Sequence, residues 1–365
     1  MELFNFNPGP SALPKKVLLR AQEELVNYQN SGLSVLEMSH RSSHYEEIHH
    51  KAIDSLRRLL DIPESHEILL LQGGASLQFS MVPLNFLYGN RTGYYVTTGS
   101  WAKKAFNEAK KIGHAVELAS SESEHFSSIP AMLEDSFPEL KNGEGYVHIT
   151  SNNTIYGTQW QAFEQLPSKV VIADMSSEIG TRKIPWDKFA LVYAGAQKNL
   201  GPAGVTVVII DKEWLHDQKV DIPSMMDYNV HAEKNSLHNT PPTFNIYLLS
   251  LMLEWIETQG GMPEMVKRAK HKSSTLYRTI DGSDGFYIGH SALNSRSKMN
   301  VTFRLPTSAL SEQFLKKATD CGFVGLPGHR SIGGCRVSLY NGVTVESCEK
   351  LSTFMKNFKR AQKGS

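Results

Sequence analysis

Between residues 67 and 210 short, almost wholly apolar runs recur, each separated from the next by a stretch with helical spacing, and no other feature constrains the fold as much. The runs cover residues 67–71, 94–97, 115–118, 146–150, 170–173, 191–193 and 205–210. A strand with one wet face alternates polar and apolar residues, whereas a run without polar positions must be covered on both faces. Doubly covered strands spaced by helices imply an α/β architecture with a mainly parallel sheet flanked by helices. The intervening helices have their own signals. Leu18, Gln22, Leu25 and Gln29 lie about one turn apart, with Gly32 as terminator, and Ile48, Ala52, Leu56 and Leu59 form a stripe over 45–60. Gly73-Gly74-Ala75-Ser76 leads into a helix ending near Leu87, and Ser100 is placed to cap the helix that carries Trp101 and Phe106.

The pattern changes after a long amphipathic helix over 244–259. Gly260, Gly261 and Pro263 interrupt the chain, and Lys298, Asn300, Thr302 and Arg304 then alternate with Met299, Val301, Phe303 and Leu305. That alternation predicts a strand buried on one face only, as in an antiparallel sheet, and Arg336 to Tyr340 repeats it. A chain of 365 residues exceeds one ordinary core. We therefore expect a large domain over 1–260, including an N-terminal arm, and a smaller α+β domain over 261–365.

The charge balance narrows the partners. With 38 basic and 37 acidic residues interleaved, the chain has no electrostatic footprint for nucleic acid or an anionic membrane, so small-molecule substrates are expected. No apolar run approaches the roughly 20 residues of a membrane span, and residues 1–14 have no basic segment leading into an apolar one. Cys321, Cys335 and Cys348 are an odd number for disulfides. Free thiols and a cytoplasmic location are expected.

Chemistry gathers around one lysine. Lys198 follows an apolar run inside Ala194-Gly195-Ala196-Gln197-Lys198-Asn199, at the strand end where open α/β sheets bind ligands. Most lysines are solvated surface groups, but this one has company. Asp174 closes the preceding apolar run, where a poorly solvated carboxylate needs a cationic partner. A protonated ring nitrogen, as in pyridoxal phosphate, is such a partner. The small residues of Gly73-Gly74-Ala75-Ser76 let backbone N–H groups approach an anion at a helix start, although the segment is neither a P-loop nor a dinucleotide fingerprint. Trp101, past the next strand, could stack on a planar ring, though core packing is the commoner use of tryptophan.

Those blocks, in that order, together with Asn7-Pro8-Gly9-Pro10, Met38-Ser39-His40-Arg41-Ser42, His238-Asn239-Thr240-Pro241-Pro242 and Gly328-His329-Arg330-Ser331 through Arg336, carry a resemblance over nearly the whole chain. The sequence resembles the phosphoserine aminotransferase family, fold-type-I pyridoxal-phosphate enzymes of the class V aminotransferase group. The resemblance implies that Lys198 is the catalytic residue and holds the cofactor as a Schiff base. It also implies that Asp174 binds the pyridine nitrogen, Trp101 stacks on the ring, Thr154 contacts the cofactor near it, and Ala75, Ser76 and Gln197 hold the phosphate. Asn239 and Thr240 would reach the phosphate of the neighbouring subunit's cofactor, making a homodimer with shared sites. Arg336 would grip the substrate α-carboxylate, and His40, Arg41, His329 and Arg330 the distal phosphate or γ-carboxylate. The implied reaction exchanges O-phospho-L-serine and 2-oxoglutarate for 3-phosphohydroxypyruvate and L-glutamate, in L-serine biosynthesis and, in many bacteria, pyridoxine biosynthesis.

Two other classes compete. A lyase or desulfurase of the same fold would use a cysteine over the cofactor, and Cys335 adjoins Arg336. A metal-dependent hydrolase could draw on His40, His44, His49 and His50 with Glu46 and Glu47, but no HExxH or cysteine-pair spacing occurs, so no metal is expected.

Overall fold

The computed structural model describes residues 2–140, 143–216 and 220–363. Its centre is a seven-stranded sheet of β1 (His66–Leu71), β2 (Thr92–Thr97), β3 (His114–Ser120), β4 (Gly145–Thr150), β5 (Val171–Asp174), β6 (Phe189–Gly195) and β7 (Thr206–Asp211). The spatial order is β1-β7-β6-β5-β4-β2-β3. The pairs from β6 through β3 are parallel, while β7 runs antiparallel to both β6 and β1. Two reversals cancel, so the C-terminal ends of β1, β2, β4, β5 and β6 all lie at one edge of the sheet.

Both faces of the sheet are dry from β1 to β2, which accounts for the apolar runs there, while the edge strand β3 buries no residue and exposes Val116 and Glu117. Ile68, Leu70, Val96, Val192, Val207 and Ile209 pack on one side with Ala52 and Leu56 of the helix Ser43–Leu59 and Ile246, Leu249 and Leu253 of the helix Thr243–Thr258. Their chain neighbours Leu69, Leu71, Tyr95, Leu191, Tyr193, Val208 and Ile210 pack on the other, with Phe79, Val82 and Phe86 of the helix Gly74–Phe86 and Ala105 and Ala109 of the helix Ser100–Ile112. Successive strand residues point to opposite faces, so each strand feeds two cores at once.

A three-stranded antiparallel sheet follows the helix Gly261–Asp281, with β8 (Ile288–Gly289), β9 (Asn300–Arg304) and β10 (Cys335–Ser338) in sequence order. Val301, Phe303, Cys335 and Val337 face a core with Phe314, Leu351 and Met355. The N-terminal arm joins it. Phe6 is fully buried there, and Phe4–Asn5 pairs with Phe323–Val324.

Three expectations need correction. The first helix is Lys15–Glu23 and buries Val17 and Ala21, while Leu18, Leu19, Leu25 and Val26 are exposed. Apolar spacing located a helix there but not its inner face. Ser100 is the first residue of its helix rather than its cap, and its Oγ pairs with the Tyr156 hydroxyl at 2.9 Å. Two of the three polar positions of β9 are not solvated either, Arg304 alone being exposed. Asn300 and Thr302 are buried, with Asn300 accepting from Asn152 Nδ2 at 2.9 Å and donating to Ser338 Oγ at 3.1 Å and the Tyr340 hydroxyl at 3.2 Å. A satisfied polar face can be buried as completely as an apolar one.

Candidate active site

The shared edge of the large sheet opens into a cavity of about 280 Å³. β5 delivers Asp174, the turn after β6 delivers Gln197 and Lys198, and the segment after β4 brings Thr154. The turn after β1 adds Gly74, Ala75 and Ser76, the helix after β2 adds Trp101, and the C-terminal sheet adds Arg336 with His329 nearby. Gly73 and Gly74 have φ of 82° and 66°, the left-handed region that favours glycine. A Cβ on Gly73 would also lie 2.5 Å from Leu77 Cδ2, so the turn that starts this helix is closed to larger residues.

Lys198 Nζ donates to Thr154 Oγ1 at 2.7 Å. Burial lowers its pKa to about 8; the Asp174 carboxylate opposes that fall and the Arg336 guanidinium adds to it. A buried amine that sheds its proton near neutrality is a nucleophile and a proton carrier. Asp174 faces the opposite pressure. Burial raises its pKa, and Ser176 and Lys198 oppose the rise by bonding and facing its charged form. Ser176 donates to Asp174 Oδ1 twice, from N at 2.9 Å and from Oγ at 2.6 Å. Arg336 is buried and its Nε has no hydrogen-bond partner among the described residues. A guanidinium without a partner in a cavity is a ready carboxylate receptor.

The lowered pKa has a direct consequence. Below pH 8 the neutral fraction of Lys198 falls tenfold per unit, so its reaction with a small aldehyde should climb about tenfold per pH unit and level off above about 8. An ordinary lysine would keep climbing toward 10.5. Borohydride trapping followed by peptide mapping of Lys198 reads the profile.

Of the residues singled out in the sequence, Ala75, Ser76, Trp101, Thr154, Asp174, Gln197, Lys198, His329 and Arg336 line one cavity. Five others do not line it. Arg330 is exposed on the loop before β10, close enough to His329 to help burial lower that imidazole's pKa, as Arg336 and Lys104 also do. His40 and Arg41 precede the helix Ser43–Leu59, half-buried and exposed respectively. Asn239 and Thr240 lie beside Gln72, whose Nε2 donates to the Thr240 carbonyl at 3.2 Å. Thr240 is exposed.

Cys335 is fully buried on the face of β10 away from the cavity, and burial pushes its thiol up to about 12. That placement argues against a cysteine-based lyase. His49 is also buried, with Nε2 on the Asn235 carbonyl at 2.9 Å. No three His, Cys, Asp or Glu side chains converge on a possible metal position among the described residues.

The structure adds residues that the sequence reading passed over. Pro8 and Gly9 line the cavity, and a Cβ on Gly9 would meet Lys198 Cγ at 3.3 Å. Ser11 Oγ donates to the Lys198 carbonyl at 2.6 Å, and Ser11 N to the Gln197 carbonyl at 3.0 Å. Ser176 is the most informative of them. Its signal was a hydroxyl two residues beyond a strand-ending aspartate, a spacing suited to local side-chain-to-backbone bonding.

Known proteins resemble the chain over nearly its whole length. The family described as aminotransferase class-V matches residues 3–351. The chain is 55% identical to a phosphoserine aminotransferase of Geobacillus kaustophilus over 357 residues, 98% of each chain. It is 52% identical to that of Bacillus subtilis over 356 residues, again 98% of each. It superposes on the solved phosphoserine aminotransferase of Bacillus circulans subsp. alkalophilus with a TM-score of 0.95, 47% identity and 99% of both chains covered. A phosphoserine aminotransferase solved to follow radiation damage of its Schiff base gives a TM-score of 0.94 at 50% identity, covering 99% of this chain and 100% of that one.

Proposed function

The chain belongs to the class V aminotransferase family, and we propose that it interconverts O-phospho-L-serine and 2-oxoglutarate with 3-phosphohydroxypyruvate and L-glutamate. The observation that carries this reading is the meeting, in one cavity, of a buried amine, a shielded carboxylate and a buried guanidinium whose Nε has no partner among the described residues. Pyridoxal phosphate is the cofactor, and the residues present fit it. Lys198 suits its carbonyl, Asp174 its ring nitrogen, Trp101 its face, and the Gly73 to Ser76 turn with Gln197 its phosphate. When bound it supplies an electron sink for charge developing at the substrate Cα.

The protein's own groups do the rest. Arg336 takes the α-carboxylate and so fixes Cα relative to Lys198. Lys198 Nζ carries the Cα proton, and Thr154 Oγ1 holds that amine in place. His329 and Arg330 attract the distal phosphate or γ-carboxylate, the feature common to phosphoserine and glutamate. Glutamate-dependent amination of 3-phosphohydroxypyruvate tests the reading. Cofactor-loaded protein that aminates other keto acids but not this one would refute it.

The proposal includes a homodimer in the cytoplasm, each subunit lending Asn239, Thr240, His40 and Arg41 to its partner's site. Two observations support a second copy. Thr240 and Arg41 are exposed, and Leu18, Leu19, Leu25, Val26, Leu33 and Leu36 expose apolar side chains within one short stretch. The division at residue 260 belongs to the proposal too, the C-terminal unit borrowing Phe4 to Phe6 for its core. The cysteines are free and no described helix is long and apolar enough to cross a membrane. Mixing Lys198→Ala subunits with Thr240→Glu subunits, whose new carboxylate would repel a phosphate, should restore about one quarter of the wild-type sites after exchange. Half of re-paired dimers are mixed, and one of their two sites is intact. No recovery despite measured exchange would place Thr240 in its own subunit's site or in none.

A further inference from the structure

Asp174 ends β5 and Gly195 ends β6, the strand that runs into Lys198. One hydroxyl joins them. Ser176 Oγ donates to Asp174 Oδ1 at 2.6 Å and accepts from Gly195 N at 3.1 Å, while Ser176 N donates to the same Oδ1 at 2.9 Å. Ser176 is buried, lines the cavity, and has both hydrogen-bonding capacities of its hydroxyl engaged. Its two donations hold Oδ1, so the carboxylate's rotation is fixed and Oδ2 is left for a partner from the cavity.

A Cβ on Gly195 would lie 2.4 Å from Gln197 Oε1, so a larger residue there would displace the Gln197 side chain that lines the same cavity. We propose that Ser176 is a positioning residue that keeps Asp174 ionised and aimed at the cofactor's ring nitrogen, and that ties this carboxylate to the strand presenting Lys198. The proposal rests on the assignment of Asp174 to the ring nitrogen and deepens it. The charge logic is simple. Burial alone favours the neutral acid, which cannot hold a proton on a pyridine nitrogen by charge, and Ser176 supplies two bonds made best to the anion.

The test reads the ring nitrogen itself. Holoenzyme is reconstituted with pyridoxal phosphate labelled with ¹⁵N in the ring, and the nitrogen shift is followed against pH. Wild type should keep the ring proton to the highest pH. Ser176→Ala should lose it roughly one pH unit lower, the tenfold change worth one charge-assisted bond, and kcat should fall about tenfold with KM little changed. Ser176→Thr keeps the hydroxyl and should titrate like wild type.

Ser176→Cys, similar in size but a weak donor, should fall between, and stands in if Ser176→Ala does not fold. A merely structural serine would lower the melting temperature and leave the ring titration in place. Wild-type titration in Ser176→Ala, or in Ser176→Cys where Ser176→Ala does not fold, would overturn the proposal. Asp174→Asn is the control for the assignment beneath. If it too leaves the nitrogen shift unchanged, Asp174 is not the ring partner and both readings fall.

Discussion

Lys198→Ala is expected to fold and to lose amino transfer by about ten-thousand-fold, the upper range for removing a positioned acid–base group. Folding should survive because the lost amine is one that burial already disfavours in its charged form. The variant should still bind pyridoxal phosphate without a covalent bond, through the Gly73 to Ser76 turn, Trp101 and Asp174. Denaturing mass spectrometry after borohydride treatment, which finds the cofactor on the wild-type chain, should find none. A small primary amine added in excess should recover part of the rate, because the cavity vacated by the side chain can admit a replacement base. Near-wild-type turnover in the variant would remove Lys198 from the chemistry altogether.

Arg336→Ala is expected to cost kcat/KM about 2–5 kcal/mol, or roughly thirty- to several-thousand-fold, for every amino donor alike. The size follows from burial. The guanidinium sits out of water with Nε lacking a partner among the described residues, so a substrate carboxylate gains a full charge-assisted pair there. The uniformity follows from chemistry, since phosphoserine, glutamate and alanine share the α-carboxylate. Arg330→Ala supplies the contrast. It is exposed, where ion pairs are worth less, so its loss should be nearer tenfold and confined to donors with a distal anion. Single-turnover kinetics with alanine and phosphoserine separate the two. Equal damage to alanine in both variants would end the division of labour between these arginines.

Much of this molecule can be read from its residues because burial leaves a periodic mark. The apolar runs correspond to all seven strands of the large sheet, and Asp174 and Lys198 stand out because one closes such a run and the other lies in the turn just past one. Direction leaves no comparable mark. Nothing in residues 205–210 distinguishes the antiparallel β7 from its parallel neighbours. Polarity misleads when it is satisfied internally: the alternation of Asn300 and Thr302 resembles a wet face, but Asn300 meets Asn152, Ser338 and Tyr340, and the Thr302 hydroxyl donates to the Ile155 carbonyl. Apolar residues mislead in the opposite sense at Leu18, Leu19, Leu25 and Val26, which face outward in a single chain. The site followed the same division. Residues at strand ends and in glycine turns were legible, whereas Gly9 and Ser11 were not, because their roles depend on contacts with the distant Lys198, 187 positions beyond Ser11.

That distant contact bears on how the protein is made. The arm, which is synthesised ahead of everything it touches, lies against the Lys198 turn through Ser11, against the segment just after β10 through the bond from the Tyr340 hydroxyl to the Pro8 carbonyl at 3.2 Å, and beside the strand at Phe323. A nascent chain can lay down the strands of the central sheet by the time β7 has emerged, yet the arm must wait for about a hundred further additions before its strand partner at Phe323 exists. A bulky fusion at the amino end would burden the last step of assembly rather than the first.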